Sequence, residues 1–441
     1  KQSGWHDQTR AIFANAEIGW KSMIYLTATG RNDWDSRLAF SDYKSFFYPS
    51  IGLSAILTSM FNAPDCLTYL KVRGSYTEVG NSYGRFMTTV TYPYDEQTQS
   101  WTSTSSYPNT KLKPERTKSW EVGLDARILN DISLNLTYYR SNTYNQTFYA
   151  DLSLSSGYSN IPIQSGNIMN EGLEMSLGYN KQWKDFSFNT NYTLTWNKNR
   201  VKRLADGVYN YATGQPIQMP ELSPLTYGHT DARLILRVGG SMGDVYGQRL
   251  LKRDLNGYIL NEEGVGLAME NKETYLGSIL PKMNMGWSLG FGYKGVNLGM
   301  TFTGRFGGIV ISETQSVLDA AGVSKVSADV RDAGGVQINQ SKVSAQTYYQ
   351  TIQGTAAYYT YSATNVRLGE LSLSYTLPKK WFDNKVGMTV GLVGKNLWMI
   401  YCKAPFDPEL TTSAASNFYQ GFDAYMLPST RNFGFNVKFQ F

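Results

Sequence analysis

The chain has 441 residues, 41% of them hydrophobic, with a mean hydropathy of −0.35; no run of about 18 apolar residues occurs, so no membrane-spanning helix is available. A formal charge of +6 arises from 41 basic and 35 acidic residues, scattered without a basic cluster to track a phosphate backbone, which argues against nucleic acid as a partner. Two cysteines and two histidines exclude a multi-cysteine metal framework and a histidine-rich metal site. Aromatic residues reach 14%, with 32 Tyr and 10 Trp, a composition that suits a girdle at a lipid–water boundary and is shared by secreted β-sandwiches and propellers.

Alternation of apolar and polar residues predicts strands near 10–20, 22–34, 46–58 and 67–80. From Trp120, the set Trp120, Val122, Leu124, Ala126 and Ile128 alternates with Glu121, Gly123, Asp125 and Arg127. A short turn at Leu129-Asn130-Asp131 then leads into Ile132, Leu134, Leu136 and Tyr138, which makes a hairpin. Polar strand-like sequence continues through Tyr139 to Tyr149. A second hairpin joins Leu173, Met175, Leu177 and Tyr179 to Phe186, Phe188, Tyr192, Leu194 and Trp196 across Lys184-Asp185. A third joins Met283 through Tyr293 to Val296 through Phe302 across Lys294-Gly295. Further strands are expected near 366–377 and 386–397, and the last carries Phe433, Phe435, Val437, Phe439 and Phe441 on one face.

Strand length separates the two all-β possibilities. Sandwich strands usually run about 5 or 6 residues, whereas a tilted membrane strand needs about 9–11. Several of these sustain alternation for that longer span. Lipid cannot satisfy backbone amides, so such strands belong in a transmembrane antiparallel β-barrel with an apolar outer face and a wet inner one. Very short turns alternate with long connections near 81–116, 200–280, 307–363 and 398–430, matching the short periplasmic turns and long external loops of bacterial outer-membrane barrels.

Chemistry-bearing motifs are sparse. There is no phosphate loop, dinucleotide fingerprint or nucleophile elbow. A barrel hydrolase would need a positioned histidine as base, and His229 near Asp231 is the one candidate; as a loop histidine with no role it is better explained, and the chain is not expected to be an enzyme. Asp254 and Asn256, with Glu262 and Glu263 following, form a weak calcium candidate whose spacing departs from the helix-flanked calcium loop. Loop aromatics offer flat apolar faces with hydrogen-bonding tips: Trp101 with Tyr107, Tyr209 with Tyr211, and Tyr348, Tyr349, Tyr358, Tyr359 and Tyr361. These are the candidate ligand contacts, with packing between loops as the alternative.

Several segments resemble the SusC/RagA-type TonB-dependent transporters in order and spacing. They are Tyr25 to Trp34 followed by Phe47-Tyr48-Pro49-Ser50, Leu70 to Tyr76 with Val79-Gly80-Asn81, and Leu112-Lys113-Pro114-Glu115 leading into Trp120 to Gly123. Asn170 to Glu174, Leu371 to Pro378, Gly394 to Leu397 and Asp407-Pro408-Glu409 complete the series; Tyr401 to Phe406 departs from it, since the family often has a glycine there. The resemblance implies a 22-stranded barrel around an N-terminal plug. Of that, this chain is expected to be the C-terminal part, about 13 or 14 strands, with the plug and first strands absent. It further implies import of an oligosaccharide or oligopeptide, energy from TonB–ExbB–ExbD through the plug, and a SusD-like surface lipoprotein as lid. Phe433, Phe435, Phe439 and Phe441 resemble the signal read by the barrel-assembly machinery. A passive porin or structural barrel is the alternative function.

Overall fold

The computed structural model describes residues 4, 6–205, 221–262, 266–383, 385–410, 412–413 and 417–441. The chain divides into two compact units: Lys1–Leu177 with Asn197–Pro224 and Leu236–Ser241, and Gly178–Trp196 with Leu225–Ile235 and Met242–Phe441.

The first unit is built on β1 (Thr9–Trp20), β2 (Ile24–Asp35), β3 (Ser45–Ile56), β4 (Leu67–Asn81), β5 (Glu115–Ile128), β6 (Ile132–Tyr144) and the first part of β7 (Asn160–Trp183), neighbours in that order. Each strand hydrogen-bonds antiparallel to the next from β1 to β6. Register aligns the apolar rows across strands: Ile18 faces Leu26, Leu26 faces Leu53, Val72 faces Leu124, and Leu124 faces Leu136. Because the side-chain period is two, a slip of one residue would invert the faces, so these rows fix the register. The apolar rows stay open to the surroundings: Leu53 and Val122 are 54% and 56% exposed. A sheet in water would hide such a continuous row; one in lipid presents it. The opposite face carries Lys71, Arg73, Glu121 and Asp125, with Arg73 donating to Thr137 at 2.6 Å and lying 3.7 Å from Asp125.

The second unit repeats the design with β8 (Phe186–Ala205, here through Trp196), β9 (Met283–Tyr293), β10 (Val296–Phe306), β11 (Asn365–Leu377), β12 (Gly387–Cys402) and β13 (Asn432–Gln440). An apolar row crosses every pair: Phe188–Phe291, Phe291–Leu298, Leu298–Leu373, Leu373–Leu392 and Leu392–Phe435. Between those rows run Asn189, Gly290, Gly299, Ser372 and Asn436. Phe188 and Phe291 stack obliquely at 5.0 Å, and Trp287 and Phe302 at 5.8 Å, cross-strand pairs of the kind that stabilise a pleated face.

Tight turns close one end of the strands. Lys294 and Gly295 both adopt positive φ, +45° and +89°, the conformation whose twist matches a two-residue hairpin. A Cβ on Gly295 would sit 2.8 Å from the Thr376 carbonyl oxygen, so glycine is required there for space as well as conformation. In the β5–β6 turn the positive φ values fall on Leu129 and Asn130. The strand expected to reach residue 58 ends at Ile56, where Leu57–Met60 forms a single helical turn. The polar continuation through Tyr149 is interrupted: β6 stops at Tyr144, Asn145 takes a left-handed conformation, and Thr147–Asp151 folds back to pair with Asn160–Gln164.

The long connections contain structure of their own, since backbone that leaves the sheet still needs partners. In the second unit they hold short strands, among them Asp244–Leu251 paired with Met269–Ser278, and three eight-residue helices, α1 (Glu313–Ala320), α2 (Lys325–Asp332) and α3 (Ala345–Ile352). Ser312, Ser324 and Ser344 cap these helices, each side chain accepting from the backbone N–H three residues on.

The division of faces makes a direct forecast. Replacing Leu373 by Arg puts a charge into the apolar row and should destabilise the protein by about 2–4 kcal/mol. Asn436→Arg, on the polar face of β13, should cost far less. Denaturant midpoints of the protein reconstituted in lipid vesicles compare the two, and equal losses would contradict the assignment of faces.

Candidate ligand-binding face

In the first unit the loop ends of β2 and β4 are locked by Asp35. Its carboxylate accepts from Arg37, from Ser82 at 2.8 Å and from Thr9 at 3.3 Å. Burial pushes its pKa up, but the Arg37 guanidinium and backbone N–H with Ser82 outweigh that and hold it at about 2. Above this rim Leu38, Phe46, Tyr83 and Leu112 form a small buried cluster. The segment after Ser105 is stitched to the outer stretch of β7: Asn109 donates to the Pro162 carbonyl at 2.9 Å, and Gln164 donates to the carbonyls of Lys113 and Asn145.

That framework presents aromatic side chains. Trp101 sits on a two-residue strand paired with Tyr94–Asp95 and is 70% exposed, with its ring 5.1 Å from that of Tyr94. The Asp95 side chain holds the tip by accepting from Gln97 N at 2.8 Å. Tyr107, expected to pair with Trp101, instead meets Tyr158 edge-on at 5.1 Å. Tyr209 and Tyr211 lie outside the described residues.

In the second unit the loops form buried clusters, two of them large. One gathers Tyr227, Leu234, Val245, Ile279, Ile311 and Phe422, and Tyr227 donates to the Phe418 carbonyl at 2.7 Å. Burial pushes the Tyr227 hydroxyl well above its ordinary range, with Tyr419 adding to the effect. The other gathers Leu251, Ile338, Ile352, Tyr349 and Tyr359, with Tyr348, Tyr358 and Tyr361 packed against them. Tyr349 and Tyr359 are 7% and 2% exposed, so both rings are spent on packing and have almost no free face for a ligand. Tyr348 stacks edge-on against Tyr349 at 5.2 Å.

Asp231 ties these clusters together. Its carboxylate accepts from the backbone N–H of Gln248 at 3.0 Å, Arg249 at 2.7 Å and Ala356 at 2.6 Å. It is thus a loop organiser and not the partner of an imidazole. The backbone N–H of His229 donates to the Glu313 carboxylate at 3.4 Å. Asp254 likewise serves its own turn, Oδ1 accepting from Asn256 N at 2.8 Å and Tyr258 N at 2.9 Å. Among the described residues no three His, Cys, Asp or Glu side chains converge as a metal site would need.

One constellation was not singled out from the sequence. Arg367, at the loop end of β11, grips Asp407 with two nitrogens at 2.9 and 2.7 Å and lies 3.2 Å from Glu409. Asn365 donates to Glu409 at 3.1 Å. Arg367 and Asp407 are 11% and 8% exposed at the side chain, so this planar pair is well shielded. Burial pushes the Asp407 carboxyl up, and the Arg367 hydrogen bonds pull it below the ordinary range. The signal was present in Asp407-Pro408-Glu409, a motif with acids on either side of a proline, but its basic partner lies 40 residues earlier. Phe433, Phe435 and Phe439 stand on the apolar face of β13 opposite Gly394, Leu392 and Met388.

Residues 2–397 match the family model for the TonB dependent receptor-like beta-barrel. The chain is 25% identical over 468 residues to TonB-dependent receptor P3 of Formosa agariphila, an alignment covering 97% of this chain and 45% of that protein. It is 27% identical over 154 residues to TonB-dependent receptor SusC of Bacteroides thetaiotaomicron, covering 34% of this chain and 14% of SusC. Among solved structures, a chain of the RagAB peptide importer in its open-open state aligns with a TM-score of 0.73 at 20% identity, covering 98% of this chain and 46% of that one. The closed-closed state gives 0.72 at 19%. At such identity the structural likeness speaks for the fold. The chain spans about half the length of the Formosa relatives it matches.

The arginine clamp generates a prediction. Arg367→Met leaves two acids without their counter-charge and should cost about 3–5 kcal/mol, as expected for breaking one side of a shielded pair. Limited proteolysis should then cut within 403–431 at protease levels the unaltered protein resists. Because the folded carboxyl of Asp407 titrates below its unfolded value, its contribution is complete above about pH 4 and fades as pH falls through the depressed value. Cleavage of the same segment by an acid-active protease should therefore rise below pH 4, and Arg367→Met should remove that step.

Proposed function

The chain belongs to the TonB dependent receptor-like β-barrel family and forms part of an outer-membrane barrel, and from that premise we propose that the protein imports a large nutrient, an oligosaccharide or oligopeptide, by TonB-dependent active transport. Energy would reach it from TonB–ExbB–ExbD through a plug, and a SusD-like surface lipoprotein would cover its external face. The observation that carries most weight is the family match over 2–397, on strands that present an apolar row on one face and Lys, Arg, Asp, Glu, Asn and Ser on the other.

A polar wall fits a hydrated passage for a polar cargo, and the exposed Trp101–Tyr94 pair fits first contact with a sugar ring or a peptide side chain. Tyr107 joins that reading as the neighbouring aromatic of the same loop. Tyr348 contributes at most an edge. Both lumen and loops would act on the cargo by binding and orientation, with no bond made or broken.

Two measurements check this. Uptake of the cargo should fall to background in cells lacking TonB; undiminished uptake would instead identify a passive porin. Trp101→Ala should weaken cargo binding by about 1–3 kcal/mol, the range for loss of one stacking aromatic, with the melting temperature unchanged because the ring is mostly exposed. Unaltered affinity would remove this loop from the binding face.

A further inference from the structure

The three helices of the second unit line an open cavity of about 470 Å³, within the range of small-ligand sites. Its wall is made by the end of α1 at Asp319, by Ser327 and Arg331 of α2, and by Gln346, Tyr349 and Gln350 of α3.

Asp319 is the unusual member. It is 5% exposed. Oδ1 accepts from Gln315 Nε2 at 2.7 Å and from the Ser324 hydroxyl. Oδ2 has no hydrogen-bond or ion-pair partner among the described residues. That oxygen is left on the cavity wall, where a cationic donor would complete the carboxylate's hydrogen bonding. The charge is felt by neighbouring phenols. Burial first and Asp319 next raise Tyr349, and the same two causes push Tyr361 up to about 12.

The remaining lining is complementary. Arg331 is exposed, and its Nη1 donates one long hydrogen bond to the Gly322 carbonyl at 3.3 Å. Gln346 and Gln350 lie one turn apart on α3, exposed, with side-chain amides that have no partner among the described residues. A metal ion does not suit the cavity, because it offers one carboxylate and a cation site needs several oxygens.

We propose that this cavity binds the primary ammonium group of a small polar ligand, with the ammonium on Asp319 Oδ2 and the ligand's adjoining oxygens on Arg331, Gln346 and Gln350. A free peptide amino terminus and an amino sugar share that chemistry. An uncharged polyol would leave the acid unneutralised, and an acylated amine would lose the charge that Asp319 lacks. The inference concerns binding alone and stands independently of how cargo crosses the membrane.

Isothermal titration of the detergent-solubilised full-length protein tests it with two matched pairs, trialanine against N-acetyl-trialanine and glucosamine against N-acetylglucosamine. The expected result is binding of at least one free amine, with its acetylated counterpart weaker by about thirtyfold or more, as when one member of a buried charge pair is removed. Trialanine alone binding identifies a peptide terminus, and glucosamine alone an amino sugar. Asp319→Asn should reduce that binding by a similar factor. Should Asp319→Asn lower the melting temperature, the exposed double change Gln346→Ala with Gln350→Ala decides in its place, and weaker amine binding supports the site. Equal binding of both members of each pair, binding of neither amine, or unchanged affinity in the deciding variant would overturn the proposal.

Discussion

Every backbone amide of a lipid-immersed strand must find its partner on another strand, because hydrocarbon offers none. That constraint dictates the rest of this molecule. It explains why β10 pairs with β9 on one side and β11 on the other through ten or more residues, with one bulge at Thr301/Phe302. It also explains why apolar rows from successive strands lie directly opposite one another. Once the ladder is fixed, the two-residue side-chain period assigns each residue to lipid or water, and Leu373, Leu392 and Phe435 have no choice of side.

The same constraint acts differently beyond the hydrocarbon. Loops there meet water, so their backbone is free to leave the ladder, and each must build a local core to stay ordered. The first unit does so with Leu38, Phe46, Tyr83 and Leu112. The second does so chiefly with two large clusters rich in Tyr, Ile and Leu, held by the three backbone N–H groups that donate to Asp231. Tyrosine suits this work because its ring packs while its hydroxyl reaches a backbone carbonyl, as Tyr227 does with Phe418. Polar side chains at the strand ends then fasten loops to wall: Asp35 in the first unit, and Arg367 with Asp407 in the second.

These two regimes also decide what was legible in the sequence. Strands were legible because hydrocarbon imposes strict alternation over a long span, and Met283–Tyr293 and the stretch from Trp120 to Ile128 carry it plainly. The match to the receptor family bears out the barrel and the family resemblance. Loop aromatics were much less legible. Tyr359 and Trp101 look alike in sequence, yet one is 2% and the other 70% exposed, because burial in a loop depends on partners far along the chain. Arg367 with Asp407, and Asp231 with Ala356, are separated by 40 and 125 positions, and no local pattern announces either.

Any ligand contact made by the loops falls to groups left over after both regimes have been satisfied. Most tyrosines of the 307–363 segment are consumed by packing, so aromatic abundance overstates the binding surface available there. Two kinds stand out among the described residues. One is an aromatic pair standing clear of its loop, Trp101 with Tyr94, which suits any flat or apolar surface. The other is polar: a carboxylate oxygen, a guanidinium and two amides around one cavity, where charge and geometry discriminate sharply. Of the two, the polar cavity is the more discriminating surface, because a stacked ring accepts almost any flat partner whereas a carboxylate oxygen favours a cationic donor.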